Sequence, residues 1–192
     1  MPSGQYICDQ SNGLVRDLRT QVKEVSPELE FIRRETERAT RGVSPDAWLQ
    51  APVGKWNSAQ ILEHLLLTYT ATTKGMLRTM DAGQPQRGKP DLKQRLRRLY
   101  VLGIGRFPSG IEAPQHTVPR QELANEPLRR FNDALVAMDA TLADAEKRFG
   151  TGTRLLNHPV LGPLTAQEWR RFHQVHGRHH LRQVAARVTN QA

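Results

Sequence analysis

The 192-residue chain has a single cysteine and no apolar run long enough to cross a bilayer. One thiol cannot form an internal disulfide, and it cannot build a zinc site of the cysteine type by itself. A membrane-spanning helix needs about 18 to 20 consecutive apolar residues, so none is expected. Residues 1–10 also lack the basic start and the apolar core of a signal peptide. We therefore expect a cytoplasmic protein with no membrane partner, whose metal ligands would be histidines or carboxylates.

Basic charge is what the chain has in surplus. It contains 28 lysines and arginines against 19 aspartates and glutamates, which gives a formal net charge of +9. Such a surplus is typical of nucleic-acid-binding proteins, although a basic surface can also simply keep a protein in solution. A helix-turn-helix pattern and an alternating aromatic stripe are both lacking. Nucleic acid is therefore an alternative partner that the sequence does not favour.

Four long stretches of helical periodicity, with no convincing strand, predict an all-α four-helix bundle over residues 26–190. The predicted helices begin at Ser26-Pro27, Asn57, Pro127 and Thr165. Proline at the first helical position marks two of these starts, and the spacing of a capping box marks the other two. The residues that continue the apolar faces are expected to be buried: Ile61, Leu65, Leu135, Met138, Phe172 and Val184.

Two segments lie outside these four helices. Residues 1–25 are predicted to form a tail followed by a short amphipathic segment. Residues 82–118, which are rich in glycine and proline, form an insertion between the second and third helices with one short basic helix at about 91–101. The basic residues of that helix are Lys93, Arg95, Arg97 and Arg98. Its apolar side, which we expect to pack against the bundle, carries Leu92, Leu96, Leu99 and Leu102.

Residues 168–183 hold four of the seven histidines. In a helix, His176 and His180 point within about 40° of each other, so they can share one metal ion. His173 lies on the same inward side, and the arginines of this helix largely point elsewhere: Arg170, Arg178, Arg182 and Arg187. His64 lies beside the apolar face of the second helix, where a histidine is either buried or a ligand.

Three sequence segments, WNSAQILEHL, NHPVLGPLT and EWRRFHQVHGRHHLRQ, resemble the DinB/YfiT-like superfamily, and more narrowly a subfamily with a domain of unknown function. The resemblance covers about residues 28–188. It implies a four-helix bundle with a long crossover between helices 2 and 3. It also implies that three histidines, carried over as His64, His176 and His180, bind one divalent metal ion, for which zinc or nickel is expected. Helix lengths place these residues at matching levels in antiparallel helices.

Three imidazoles would leave at least one coordination position open, as in catalytic metal sites. The resemblance implies a metal-dependent thiol transferase or hydrolase that acts on a small molecule through metal-bound water or thiolate, with a thiol as cosubstrate. His173 is the candidate catalytic acid or base, with simple packing as the alternative. Two other interpretations stay open, a basic nucleic-acid-binding module and a bundle that binds metal without catalysis. A homodimer also stays open.

Five further polar residues complete the prediction. Gln60 and Gln183 lie one turn from the histidines and could orient a ligand. His179 leaves the ligand face, and Glu63 is expected on a solvated face about 100° from His64. His158, in a turn before Pro159, is expected to make a structural hydrogen bond.

Overall fold

The computed structural model describes residues 25–85, 88–108, 110, 112–120 and 126–189. Its helices are α1 (Pro27–Thr40), α2 (Pro45–Leu49), α3 (Ser58–Asp81), α4 (Leu92–Arg98), α5 (Pro127–Phe149) and α6 (Ala166–Thr189). A π-helical turn, Leu99–Ile104, continues α4, and a 3-10 turn spans Gln115–Thr117. The predicted tail and nearly all of the amphipathic segment fall in residues 1–24, outside the described residues.

A small antiparallel hairpin precedes α6, formed by β1 (Leu156–His158) and β2 (Gly162–Leu164). The prediction of a chain without strands was wrong at this point. The turn returns through Gly162, whose φ of +75° disfavours any residue with a side chain. The short strands could not be seen in the sequence because three residues are too few to show an alternating pattern.

The long helices pack around one core. Helix α3 lies along α5 and α1 lies along α6, while α6 also contacts α3 and α5. All six residues that were predicted to be buried are at most 7% exposed: Ile61, Leu65, Leu135, Met138, Phe172 and Val184. Burial of each large apolar side chain stabilises the fold by about 1.5–3 kcal/mol. The described structure is therefore mainly helical, as predicted. None of its helices has the length and apolar character needed to span a membrane.

Capping boxes fix where α3 and α6 begin. The backbone N–H of Gln60 donates to Asn57 Oδ1 at 2.8 Å, and the N–H of Asn57 donates to Gln60 Oε1 at 2.9 Å. Thr165 and Glu168 make the same reciprocal pair at 3.2 and 2.9 Å. Each cap contributes about 1 kcal/mol. The predicted starts are confirmed, and they set the levels of the histidines along both helices.

A buried ion-pair cluster joins three helices. Arg170 of α6 donates to Asp139 at 2.7 Å and to Glu146 at 2.9 Å, both on α5. The other carboxylate oxygen of Asp139 accepts the backbone N–H of Ser26, just before α1, at 2.6 Å. Arg170 does leave the histidine face, but it turns toward α5 because that helix offers two carboxylates. Ser26 itself makes no side-chain cap.

Helices α1 and α6 approach closely at Gly177. A Cβ at this position would lie 2.8 Å from Ile32 Cδ1, which is too close for a real contact. Glycine therefore lets α1 cover one side of α6, while the neighbouring His176 and His180 face the other side. This approach helps to hold the histidine helix in place.

The insertion packs differently from the prediction. Three leucines of the expected apolar side, Leu92, Leu96 and Leu99, are 61–71% exposed, whereas the fourth, Leu102, packs against the core as predicted. The segment is instead held by Arg98, which pairs with Glu168 and donates to the Pro163 carbonyl oxygen at 2.9 Å, and by buried Val101. The ion pair between Arg98 and Glu168, at the start of α6, thus orients α4, and Leu92 and Leu96 of α4 point outward.

Candidate metal centre

The side chains of His64, His176 and His180 meet at one buried point between α3 and α6. His176 Nε2 lies 3.3 Å from His64 Nε2 and 3.0 Å from His180 Nε2. The potential ligand atoms of the three residues all lie within 4.8 Å of one another. The structure therefore brings together the three histidines that the sequence predicted, and this group could hold a metal ion.

Two of the three rings are held by oxygen acceptors on their far side. His64 Nδ1 lies 2.8 Å from the carbonyl oxygen of Thr117, and His180 Nδ1 lies 3.1 Å from Gln183 Oε1. An oxygen without a hydrogen can only accept, so each Nδ1 must carry the proton. Both Nε2 atoms then present lone pairs to the centre. A hydrogen bond of this kind is typical of histidines that bind metals.

His176 Nε2 faces the Nε2 atoms of both other histidines. Its Nδ1 is buried and has no partner within the described part of the chain. A proton on its Nε2 could be shared with the two facing lone pairs, whereas a proton on Nδ1 would leave three lone pairs in contact. Nitrogens bound tetrahedrally to one zinc ion at about 2.0–2.1 Å lie about 3.3 Å apart, close to the two distances observed. The donor set therefore fits a divalent ion.

The histidines of this cluster are neutral near pH 7. Burial lowers the pKa of His64, lowers that of His180 to about 3 and lowers that of His176 well below its usual value. The neighbouring imidazoles add to the effect at His176 and His180, whereas the hydrogen bond to Thr117 partly opposes it at His64. Neutral imidazole is the form that binds metal, so the site is ready for ligation without the loss of a proton.

The family known as "Protein of unknown function (DUF1569)" matches residues 46–187, which is most of the chain and includes all three histidines. The chain belongs to this family. Neither a curated protein nor a solved structure matches it. The DUF1569 match begins within α2 and ends two residues before the end of α6, so α1 lies before the matched region.

His173 lies deeper in this DUF1569 chain than a solvent-accessible catalytic residue would. It is fully buried, and Tyr69, Trp169 and Phe172 surround its ring. Its Nε2 lies 3.1 Å from the hydroxyl of Thr72, while its Nδ1 is buried without a partner among the described residues. Burial, with a smaller contribution from His158, lowers its pKa to about 3. His173 is therefore neutral at pH 7 and offers one unused nitrogen.

The other polar residues that were singled out in the sequence support the structure around the cluster. His158 Nδ1 accepts the backbone N–H groups of Val160 and Leu161 at 3.1 and 3.2 Å, so the predicted structural hydrogen bond is confirmed. His179 is not part of the cluster, and it accepts a hydrogen bond from Gln183 at 3.0 Å. Gln183 thus connects His179 to His180, whereas Gln60 serves only as a cap.

The solvent exposure of Glu63 differs from the prediction. Glu63 is 3% exposed instead of solvated, and its Oε1 accepts the backbone N–H of Arg120 at 2.7 Å. The reason is that residues 112–120 cross over α3 at this level. The same segment brings the Thr117 carbonyl to His64, so two successive residues of α3 hold it in place. A backbone carbonyl leaves no signal in a sequence, and this contact could not have been found there.

A cavity of about 1540 Å³ opens beside the histidines. Aromatic rings form its walls: Trp56 lies 5.1 Å from the His64 ring, and Phe107 lies 4.9 Å from the His176 ring. Phe107 could not be singled out from the sequence, because it reaches the site from the insertion. Arg187 also lines this cavity. The prediction placed it off the histidine face, although seven residues after His180 is almost two full turns.

Proposed function

We propose that this DUF1569 protein binds one divalent metal ion, zinc or nickel, through the Nε2 atoms of His64, His176 and His180. The observation that carries the proposal is the convergence of the three nitrogens, two of which have their protons fixed on the far side of the ring. We also propose that the fold is a DinB/YfiT-type bundle, with residues 82–118 as its crossover insertion. The order of the long helices and the place of the histidines on α3 and α6 support this.

We further propose that the metal centre serves a transferase or hydrolase that acts on a small molecule, with a thiol as cosubstrate in the transferase case. A cavity beside three protein ligands is the arrangement of catalytic sites rather than of closed structural ones. A divalent ion bound there would supply Lewis acidity to a substrate group. Both reaction classes are inferred from the resemblance to the DinB/YfiT-like superfamily.

The chain's own residues have separate parts in this proposal. Thr117 and Gln183 hold two of the imidazoles in the tautomer that binds metal, and the aromatic walls exclude water from one side of the substrate. His173 offers its unused Nδ1 as a hydrogen-bond acceptor. We keep it as the candidate catalytic residue because the cavity reaches it.

The test is metal content after dialysis against a weak chelator, measured by elemental analysis at pH 7. His64→Ala, His176→Ala and His180→Ala should each lose most of the metal, because two imidazoles bind an ion much more weakly than three. His116→Ala is the matched control, since His116 is exposed and lies outside the cluster. Full retention of metal by all three ligand variants would refute the proposal.

A further inference from the structure

Arg187 is a half-buried cation next to the histidine cluster. Its side chain runs back along α6, where Nη1 donates to the Gln183 carbonyl oxygen at 2.8 Å and Nε donates to the Trp56 carbonyl oxygen. Both acceptors are neutral. No carboxylate pairs with Arg187 in the described ranges, and Nη2 makes no hydrogen bond there. The guanidinium therefore has its position fixed by the backbone while its charge stays unbalanced.

The charge of Arg187 is partly removed from water, and this burial lowers the pKa of its guanidinium. The three imidazoles beside it are neutral, so they cannot balance it. A divalent ion at the centre would add still more positive charge. A half-buried cation without a counterion is costly, and an anionic ligand would relieve that cost.

The rest of the cavity has the same sign of charge. Its lining contains four further basic residues and one acidic residue: Lys55, Lys74, Arg78, Arg97 and Glu112. Glu63, the buried carboxylate nearest in sequence to the ligands, does not line the cavity and is bonded to the Arg120 N–H instead. A cavity lined by one sign of charge concentrates ligands of the opposite sign.

Apolar surface lies between these charges. Trp56 packs on the ring of His64, and Phe172 stacks on that of His176 at 5.4 Å. Together with Phe107, which lies 6.3 Å from Phe172, these rings form an apolar wall, and Trp56 contacts Arg187 through its carbonyl oxygen. A ligand that fits this arrangement has a small apolar body and an oxyanion at one end.

We propose that the cavity takes a small organic anion whose carboxylate or phosphate group pairs with Arg187 while its apolar part lies against the aromatic wall. The planar guanidinium suits both kinds of oxyanion, and its Nη2, which makes no hydrogen bond in the described ranges, can donate to either. This inference rests on the proposed metal-dependent function, since it names the substrate class of that same site. Arg187 would then be the residue that selects the substrate.

The experiment measures binding of three probes by calorimetry: phenylacetate, phenyl phosphate and the neutral phenylacetamide. The wild-type protein, both metal-loaded and metal-free, should prefer at least one anion over the amide by tenfold or more, which corresponds to about 1.4 kcal/mol. Arg187→Gln should reduce this preference to near unity while the metal content stays unchanged. Tighter binding of phenylacetate would assign carboxylates, and tighter binding of phenyl phosphate would assign phosphates.

Two further variants keep the test decisive. Arg182→Gln removes the same charge from an exposed position of α6 and should leave the preference unchanged. Arg187→Lys keeps the charge but loses the planar fork, so it should show a reduced preference even if the glutamine variant fails to fold. A wild-type protein without the preference, or an unchanged preference in both Arg187 variants, would overturn the inference.

The two proposals fail in different ways. If the wild-type protein bound no metal but showed an Arg187-dependent preference for anions, the metal proposal would fail and this one would stand. If metal were bound and the preference were absent, only the substrate class would be wrong.

Discussion

Gln183 offers the sharpest test of how the metal centre is built. Its Oε1 accepts the proton of His180 Nδ1 at 3.1 Å, and its Nε2 donates to His179 at 3.0 Å. Replacement by leucine keeps the approximate size of the side chain but removes the acceptor. His180 would lose the contact that fixes its proton on the far side from the metal. We therefore expect Gln183→Leu to bind metal more weakly without loss of a ligand.

The size of the effect follows from the burial of the pair. A buried N–H without an acceptor costs about 1–3 kcal/mol, and the loss of such outer partners weakens metal binding about 10- to 100-fold. Gln183 is only half-buried, so water can replace part of its role. The expected loss for Gln183→Leu is accordingly near the lower end, at about tenfold.

Gln183→Glu should act in the opposite direction. A carboxylate is a stronger acceptor than an amide, so it makes the His180 imidazole more basic and a better ligand. The variant also loses the donor to His179. His179→Ala serves as its control, because that change removes the same hydrogen bond and leaves the acceptor of His180 in place.

Competition against a chromophoric zinc chelator at pH 7 would give the zinc affinities of the wild-type protein and the three variants. We expect Gln183→Glu to bind zinc at least as tightly as the wild-type protein and His179→Ala. Gln183→Leu should bind zinc most weakly. Equal affinities for the leucine and glutamate variants would show that Gln183 does not control the tautomer of His180, and the reasoning would fail.

Two other predictions concern stability. Asp139→Ala should lower the free energy of unfolding by about 3 kcal/mol in urea titrations, because it removes a buried carboxylate and leaves half-buried Arg170 with one partner. The exposed Asp133→Ala should change the free energy of unfolding by less than about 0.5 kcal/mol, and similar effects of the two changes would contradict the assignment. The metal-free protein should lose stability as the pH falls from about 6.5 to about 4. Burial lowers the pKa of His158 to about 4 in the folded state, whereas the same histidine takes up a proton near pH 6.5 in the unfolded state. Protons therefore bind to the unfolded state first, and they favour unfolding over this range of pH. Chemical denaturation at pH 7 and pH 5 would check this, and equal stabilities would refute it.

The sequence by itself determined the parts of this protein that depend on neighbouring residues. The starts of α3 and α6 follow from capping boxes within four residues, and the common face of His176 and His180 follows from helical geometry. The levels of His64 and the other two histidines also came from helix lengths. The choice of these three histidines as one ligand set was implied by the family resemblance of the sequence, and the helix geometry agreed with it.

Only the tertiary structure decided the contacts between segments far apart in the chain. Glu63 is buried and His64 finds its acceptor because residues 112–120 cross over α3. The leucines of α4 are exposed because Arg98 pairs with Glu168, seventy residues away. Periodicity predicts which residues of a helix share a face, but it cannot say what that face will meet. Which segment contacts a helix face depends on packing and charge in the whole molecule. These interactions determined which residues surround the histidines.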